Sequence, residues 1–345
     1  MSPFTTTIIL LSLATGTIIT ATSFHWLMAW IGLELNTLAI IPVISKQHHP
    51  RATEAATKYF LTQAAASALL LFSSTINAWY TGTWDITQMT NNMSNILLTM
   101  ALMMKLGLAP THFWLPEVLQ GTSLMTALII STWQKLAPMA LIIIMSNNLS
   151  PTILMTMGIM SALTGGWGGL NQTQTRKIMA YSSIAHLGWM MTITPLMNNL
   201  LTLNLIIYLL MTTAMFLTLL LSKSKTLQDM TTLWTLSPTL MTTMMLTLLS
   251  LGGLPPLTGF MPKWLILQEL TTQNMVTMAT ILALSALLSL FFYLRLTYIM
   301  AMTTPPNMVT FKHKWRFKYT NNTTPLSISL SLSIFMLPMT PLLLL

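Results

Sequence analysis

The feature that most constrains the fold of this chain is a series of long apolar stretches that recurs from one end to the other. A helix of about 20 residues crosses the roughly 30 Å of a bilayer's hydrocarbon layer. Only 6% of the residues are charged and 53% are hydrophobic, which leaves too few charges to cover a soluble surface. We therefore predict an all-α polytopic membrane protein with eleven spans, at residues 3–21, 24–44, 54–80, 93–109, 123–146, 151–170, 175–194, 200–221, 238–260, 275–300 and 324–344.

The basic residues of the loops follow a one-sided pattern. With eleven spans, the Lys and Arg residues of the loops and of the adjoining span ends fall on the side of the N-terminus, namely Lys46, Arg51, Lys58, Arg176, Lys177, Lys223, Lys225, Lys312, Lys314, Arg316 and Lys318. Loops retained in the cytoplasm or in the mitochondrial matrix carry such an excess. The N-terminus is therefore predicted to face that side, and the C-terminus the opposite side. Basic residues scattered in this way do not form the clustered basic face of a nucleic-acid-binding protein.

Glycine and proline interrupt two of the spans. The interruptions lie in residues 105–117 and 251–263, and both read Leu-Gly-x-x-Pro followed, after one residue of slippage, by an apolar residue, Pro and a charged residue. As the fourth and ninth spans they define a unit of five helices, and an odd unit is inverted when it repeats. We predict inverted five-helix repeats at 1–146 and 151–300, a basic matrix loop at 301–323 and a C-terminal transmembrane helix at 324–345. Two ordinary proline kinks are the alternative.

Four ionisable residues are predicted to lie near the bilayer centre, namely Glu34, Lys105, Lys135 and Lys263. Each costs about 2.5–3.5 kcal/mol near the bilayer centre on insertion scales, or on the order of 10 kcal/mol together. We predict that they form a proton path, in which a lysine takes up and releases a proton as its surroundings change. The alternative is a set of buried ion pairs that hold helices together. One Glu cannot neutralise three lysines, which favours the proton path.

Two histidines are candidates to extend this path. His186 lies within a helix with Ser hydroxyls one turn away, and it is placed to bridge two lysines. A lone histidine bonded to a Ser or to a backbone carbonyl is the alternative. His112 follows the first interruption and is a candidate to carry protons toward one face of the membrane. The chain has no cysteine, no histidines at i, i+4 spacing and no nucleotide-binding glycine motif, so we predict that it binds no metal, haem or nucleotide.

Three further predictions are structural. Arg295 lies near the end of its span and is predicted to snorkel toward the membrane surface. Glu54 and Lys58, spaced i, i+4 at a helix start, are predicted to form a surface ion pair. The glycine-rich run Gly165–Gly169 is predicted to allow close helix packing rather than to bind phosphate.

Three motifs resemble those of a known family. They are Lys105-x-Gly-x-Ala-Pro-x-His112-x-Trp-Leu-Pro116-Glu117, the run Ala180-Tyr-Ser-Ser-Ile-x-His186-x-Gly188, and the second interrupted helix ending in Pro262-Lys263. Together they resemble the antiporter-like membrane subunits of respiratory complex I, in the same order and over essentially the whole chain. Within that family the chain is most similar to the form found in animal mitochondria. That form is shorter than its bacterial counterparts by three N-terminal helices.

The resemblance implies a proton-translocating subunit of complex I in the mitochondrial inner membrane. It makes Glu34 the carboxylate that pairs with Lys105, Lys135 the link between the halves, and Lys263 the outlet lysine, with His186 between the halves. NADH, flavin, iron–sulfur clusters and ubiquinone would be bound by other subunits, and none by this chain. Partners would be the other membrane-arm and accessory subunits and membrane lipids, cardiolipin among them. A stand-alone cation/proton antiporter component and a purely structural membrane-arm subunit are the alternatives.

Overall fold

The computed structural model describes residues 2–47, 49–303 and 323–341. Within these ranges the chain is helical, and its only extended pairing consists of two isolated bridges, His25 with Asp85 and Gln174 with Thr226. The α-helices, numbered in chain order, are α1 (Pro3–Thr22), α2 (Trp26–Ile44), α3 (Pro50–Thr81), α4 (Asn92–Leu106), α5 (Trp114–Gly121), α6 (Leu124–Ser131), α7 (Trp133–Met145), α8 (Pro151–Gly169), α9 (Thr175–Ile193), α10 (Asn198–Ser222), α11 (Leu227–Thr231), α12 (Leu233–Leu236), α13 (Pro238–Gly252), α14 (Phe260–Thr272), α15 (Val276–Met302) and α16 (Thr324–Phe335).

Six segments of the described residues are long and apolar enough to cross a bilayer. They are α1, α2, α3, the stretch Leu124–Met145 formed by α6 and α7, α10 and α15. Helices α13 and α16 are apolar but shorter, with 15 and 12 residues. An all-helical membrane protein is confirmed at this level. The count of eleven spans and the inverted repeat stay predictions.

The predicted span 123–146 is not one continuous helix. It divides at Thr132, where φ is −113° and ψ is −68°, into α6 and α7. Pro138 has no N–H, so it cannot donate to the Gln134 carbonyl one turn earlier, and regular hydrogen bonding is weakened at the start of α7. Hydropathy does not register such a break, because the residues on both sides are apolar. The break places Lys135 in the first turn of α7.

The C-terminal span is shorter than predicted within the described residues. Helix α16 ends at Phe335 and is followed by a 3-10 turn at Leu337–Met339. Pro338 lacks the N–H that would continue the α-helix, which explains the change. The basic loop residues Lys312, Lys314, Arg316 and Lys318 lie outside the described residues, as do His48 and His313.

Residues 2–161 and 190–198 form one compact unit. In it α1 and α2 approach closely, since a Cβ added to Gly16 would lie 2.9 Å from the Gly32 carbonyl oxygen. Helix α3 packs against α4 and α5. At the start of α7 the Trp133 indole Nε1 donates a hydrogen bond to the Leu13 carbonyl of α1, at 3.4 Å. These contacts hold together the helices that carry the predicted proton path of the first half.

Residues 162–189, 199–303 and 323–341 belong to a second compact unit. Its glycine-rich run, Gly165–Gly169, lets the end of α8 lie directly against α9 and α15. A Cβ added to Gly165 would lie 2.6 Å from the Ala185 backbone nitrogen, and one added to Gly169 would lie 2.8 Å from a ring carbon of Phe292. The prediction that this run serves close helix packing is confirmed.

Arg295 is held at a helix end in the second unit. Its Nη1 donates to the Leu170 carbonyl oxygen at 2.5 Å, just beyond the end of α8, and the Gln172 side chain donates to the Gly168 carbonyl at 3.1 Å. The last carbonyls of a helix have no donors within the helix, and these two side chains supply them. The half-buried guanidinium therefore caps a helix, a contact that the prediction of snorkelling did not include.

Candidate functional site

The first interrupted helix breaks at a left-handed glycine. Helix α4 ends at Leu106, and Gly107 follows with a φ of 77°. The Gly107 N–H donates to the carbonyl oxygens of Met103 and Met104, at 3.0 and 3.2 Å. Glycine adopts this conformation readily because it has no Cβ, and the chain turns away before α5 begins at Trp114.

Side chains complete the hydrogen bonding of this break. The Trp114 indole Nε1 donates to the Met104 carbonyl at 3.2 Å, and the Gln63 amide of α3 donates to the Lys105 carbonyl at 3.5 Å. Inside a hydrocarbon layer no water would replace these donors. Helix α3 and helix α5 therefore both stabilise the exposed end of α4.

The second interrupted helix has the same local conformation with a different donor. Helix α13 ends at Gly252, and Gly253 follows with a φ of 81°. The Gly253 N–H donates to the Ser250 carbonyl at 2.9 Å. Here the additional donor is charged, because Lys263 of α14 donates from Nζ to the Gly252 carbonyl at 2.9 Å.

The two left-handed glycines correct the register predicted for the repeat. The sequence matched Gly107 with Gly252, since both follow a leucine, and this required one residue of slippage. Matching by φ instead pairs Gly107 with Gly253 and leaves no slippage. The helix start, the proline and the charged residue then correspond, as Trp114 with Phe260, Pro116 with Pro262 and Glu117 with Lys263. The predicted slippage was wrong, because sequence alone does not reveal which glycine has a positive φ.

Lys105 and Lys135 line the same small cavity. Its volume is about 20 Å³, and its lining includes Asn36, Thr37, Tyr59, Gln63 and Gln134. A cavity of about 10–15 Å³ on this measure holds one water if polar groups surround it. Both lysines are almost fully buried, with exposed fractions of 6% and 4%. The structure thus brings two of the predicted site residues to one water-sized space with both polar and apolar walls.

Glu34 does not form an ion pair with Lys105 in this structure. Within the described residues no carboxylate oxygen lies within 4.0 Å of the Lys105 ammonium, and neither Lys105 Nζ nor Glu34 Oε2 has a hydrogen-bond partner there. Direct pairing of Glu34 with Lys105 stays a prediction.

His112 lies at the first break, between α4 and α5. It is 7% exposed, its ring centroid lies 4.3 Å from that of Phe113, and its Nδ1 is buried without a hydrogen-bond partner among the described residues. In the second break the corresponding position is Thr258, whose hydroxyl donates to the Ser333 carbonyl of α16. The imidazole is therefore particular to the first break.

His186 is buried within α9, in the second unit. Its ring centroid lies 5.7 Å from that of Tyr208 in α10, and Ser183 lies beside the Tyr208 hydroxyl. The Ser183 hydroxyl donates to the Ala180 carbonyl one turn earlier, at 2.7 Å. Sequence reasoning found the neighbouring hydroxyls but not the tyrosine, which is contributed by another helix.

Sequence reasoning also missed a partner of Lys58. The predicted pair with Glu54 is confirmed, at 2.5 Å between Nζ and Oε1. Lys58 Nζ also lies 2.6 Å from Oε2 of Glu117 in α5. The local sequence of α3 carries no signal for this contact, because Glu117 is contributed by another helix.

A metal site has no support in the described part of the chain, where no three His, Asp or Glu side chains lie together as metal ligands would. Of the six predicted site residues, four lie in the first unit. Lys105 and Lys135 share the cavity, Glu34 lies in α2, and His112 lies at the break between α4 and α5. Lys263 and His186 lie in the second unit, at its break and in α9.

Comparison with known proteins extends over nearly the whole chain. Residues 23–289 match the family described as NADH:quinone oxidoreductase/Mrp antiporter, TM, and residues 290–344 match the NADH dehydrogenase subunit 2 C-terminus. The chain is 58% identical to NADH-ubiquinone oxidoreductase chain 2 of Xenopus laevis over 342 residues, 99% of each chain. It is 57% identical to that of Salmo salar over 341 residues, 99% of this chain and 98% of the relative.

Solved structures show the same fold. A chain of respiratory complex I from Thermus thermophilus, solved with bound aureothin, gives a TM-score of 0.83 at 26% identity, covering 98% of this chain and 80% of that one. A chain of the Mrp complex from Dietzia sp. DQ12-45-1b gives 0.81 at 14% identity, covering 97% and 75%, a likeness of fold alone. On the family match and on identities above one half over nearly its full length, the chain belongs to the NADH-ubiquinone oxidoreductase chain 2 family.

Proposed function

We propose that this chain translocates protons across the mitochondrial inner membrane as a subunit of a proton-pumping NADH:ubiquinone reductase. The observation that carries the proposal is the cavity shared by Lys105 and Lys135. The family membership of this chain and its likeness to a complex I chain support the same function. Redox chemistry with NADH, flavin, iron–sulfur clusters and ubiquinone belongs to other subunits in this proposal.

The cavity suits proton exchange between two amines. Burial destabilises the charged form of a lysine, so release of the proton is favoured when no carboxylate is close. A water in a cavity of about 20 Å³ would accept the proton from one amine and donate to the other. The surrounding Asn, Thr, Tyr and Gln side chains offer hydrogen bonds without adding charge that would trap the proton.

The other predicted residues take roles around this step. Approach of the Glu34 carboxylate stabilises the Lys105 ammonium, and its withdrawal favours transfer to Lys135. His186 carries the proton onward to the second half, and Lys263 is the outlet. Lys263 also donates to the exposed Gly252 carbonyl of α13, a hydrogen bond that a neutral amine can retain after the proton leaves. His112, at the first break, carries protons toward one face of the membrane.

The membrane arrangement is part of the proposal. Residues 1–146 and 151–300 form inverted five-helix repeats, followed by a matrix loop at 301–323 and a last span at 324–345. The equal register of the two breaks supports the repeat, and the one-sided basic loops support a matrix-facing N-terminus. Protease added from outside to mitoplasts should then remove a tag after Leu345 and spare one at Lys314. Partners are the other complex I subunits and membrane lipids, cardiolipin among them.

Lys105→Met in the assembled complex tests the function, with Lys46→Met as a matched loss of an exposed lysine. We expect Lys105→Met to lower the number of protons moved per NADH oxidised while the complex still assembles, and Lys46→Met to change neither. An unaltered proton ratio in Lys105→Met would remove this lysine from the path and, with it, the proposal.

The same preparation addresses the two alternatives. A stand-alone cation/proton antiporter component, to which the Mrp fold likeness points, would migrate apart from NADH-oxidising activity on a native gel. A purely structural subunit would migrate with that activity, but Lys105→Met would leave proton movement intact.

A further inference from the structure

Lys58 is shared by two carboxylates on different helices. Its ammonium lies 2.5 Å from Glu54, one turn earlier in α3, and 2.6 Å from Glu117 in α5. All three side chains are partly exposed, by 40%, 59% and 51% for Lys58, Glu54 and Glu117. The trio carries one net negative charge, although the chain as a whole carries +9 and has six acidic residues.

Packing does not need the second carboxylate. Helix α5 already lies directly on α3 at Gly121, where an added Cβ would be 2.6 Å from the Arg51 carbonyl oxygen and 2.7 Å from the Ala55 Cβ. Glu54 already neutralises Lys58 within α3. Exposed ion pairs contribute little to stability in any case. The charge of Glu117 therefore calls for another explanation.

The position of Glu117 in the repeat supplies one. Glu117 corresponds to Lys263 when the two breaks are matched by their left-handed glycines. Lys263 turns back onto its own break, whereas Glu117 turns to the partly exposed Lys58. In inverted repeats, equivalent positions lie near opposite faces of the membrane. If Lys263 is an outlet, its counterpart lies at the uptake side.

Helix α5 joins Glu117 to the first break and to the cavity. One turn earlier in α5, Trp114 lines the cavity of Lys105 and Lys135. His112 lies just before α5, 7% exposed, with a buried Nδ1 that has no hydrogen-bond partner among the described residues. A neutral imidazole accepts a proton at the nitrogen that carries no hydrogen, and Nδ1 is that nitrogen if the ring donates from Nε2.

We propose that Glu117 is the carboxylate through which the first half takes up protons from the solvent on the side of the basic loops. Hydronium gives its proton to the Glu117 carboxylate and becomes water. The carboxylic acid then gives the proton to His112 Nδ1, directly or through water, and returns to the anion while the imidazole becomes imidazolium. Lys58 positions the carboxylate. This inference rests on the proton translocation proposed above.

Glu117→Gln in the assembled complex, with Glu54→Gln as the matched control, tests the inference. Both variants remove one carboxylate from Lys58, but only the first removes the uptake group. We expect Glu117→Gln to lower the protons moved per NADH oxidised as much as Lys105→Met does, and Glu54→Gln to match the parent complex. Formate added on the side of the basic loops should restore the ratio in Glu117→Gln and not in Lys105→Met, because a small acid replaces a missing carboxyl group but not an amine.

Each other outcome overturns the inference. A normal ratio in Glu117→Gln excludes Glu117, and an equal loss in Glu54→Gln, without rescue by formate, assigns the trio to structure. Should Glu117→Gln not assemble, the same assay is run on Glu117→Ser; if that also fails to assemble while Glu54→Gln succeeds, the carboxylate is structural. A normal ratio in Lys105→Met instead refutes the proposed function itself, which separates the two failures.

Discussion

Lys263 donates a hydrogen bond from Nζ to the carbonyl oxygen of Gly252, at 2.9 Å, and so completes the broken end of α13. The same ammonium is the predicted outlet of the proton path. One side chain therefore has two tasks, to satisfy a backbone acceptor and to release a proton. A neutral amine still has two N–H donors, so it can retain the hydrogen bond after the proton leaves.

Substitution of Lys263 should separate these two tasks. Lys263→Arg keeps a donor and a charge, but a guanidinium does not release its proton at any physiological pH. We expect normal assembly with reduced protons per NADH. Lys263→Met leaves the Gly252 carbonyl without this donor, at a cost of about 1–3 kcal/mol, and should lower both assembly and pumping. Assembly is read on native gels and pumping in sealed vesicles; full pumping by Lys263→Arg would contradict the outlet role.

The second break should depend on one of two adjacent glycines. Alanine at Gly253 must adopt a φ near 81°, which costs about 1–2 kcal/mol, and its Cβ would lie 3.0 Å from Lys263 Cδ and Nζ. Alanine at Gly252 would have no neighbour closer than 3.8 Å, a ring carbon of Tyr293. Gly253→Ala should lower the thermal midpoint of the purified complex, and Gly252→Ala should not. Equal effects would argue against the left-handed conformation.

The turn before α11 should loosen in acid. Asp229 Oδ2 accepts from the N–H groups of Lys225 and Thr226, at 2.9 and 2.8 Å. Partial burial raises the pKa of Asp229, but these two donors, the Thr226 hydroxyl and the Lys225 charge outweigh it and hold the pKa below its ordinary value of 3.8. A lowered pKa in the folded state stabilises the turn above the unfolded-state pKa, and this stability is lost as the pH falls through the folded-state pKa.

Hydrogen exchange of amides 225–231 measures this effect. Protection should be high at neutral pH and should fall as Asp229 is protonated. Asp229→Asn lacks the titrating group, so its protection should be lower at neutral pH and should no longer change over the acid range. Parallel pH profiles in the two proteins would show that another group controls the turn.

Features that depend on residues close together in the sequence were predicted correctly. The all-helical membrane fold, the two interrupted helices and the Glu54–Lys58 pair follow from periodicity, glycine and proline placement, and spacing. The break at Thr132 was missed because mean hydropathy is the same on both sides of it. The slippage in the repeat was wrong because two adjacent glycines read alike until φ distinguishes them.

Contacts between helices distant along the chain were beyond prediction. Nothing in the local sequence of α7 indicates that Lys135 shares a cavity with Lys105, since the cavity depends on how α2, α3, α4 and α7 pack. The contact of Lys58 with Glu117 and the neighbourhood of His186 and Tyr208 arise in the same way. Local sequence therefore indicates which side chains are chemically unusual, but not which partners other helices bring to them.

Glu34 and Lys105 should act as one unit although they are not in contact here. Two unit charges about 4 Å apart interact by about 4 kcal/mol at an effective dielectric constant of 20, and at about 8 Å by about 2 kcal/mol. No carboxylate oxygen lies within 4.0 Å of Lys105 among the described residues, so the coupling should be strongest in a state where Glu34 moves closer. Glu34→Gln and Lys105→Met should each lower proton translocation far more than assembly. Their combination should be little worse than either alone, because each removes the same interaction. The rate of proton movement per complex, measured in the parent, both single variants and the double variant, gives the coupling between the two residues. Losses that multiply in the double variant would show that Glu34 and Lys105 act independently.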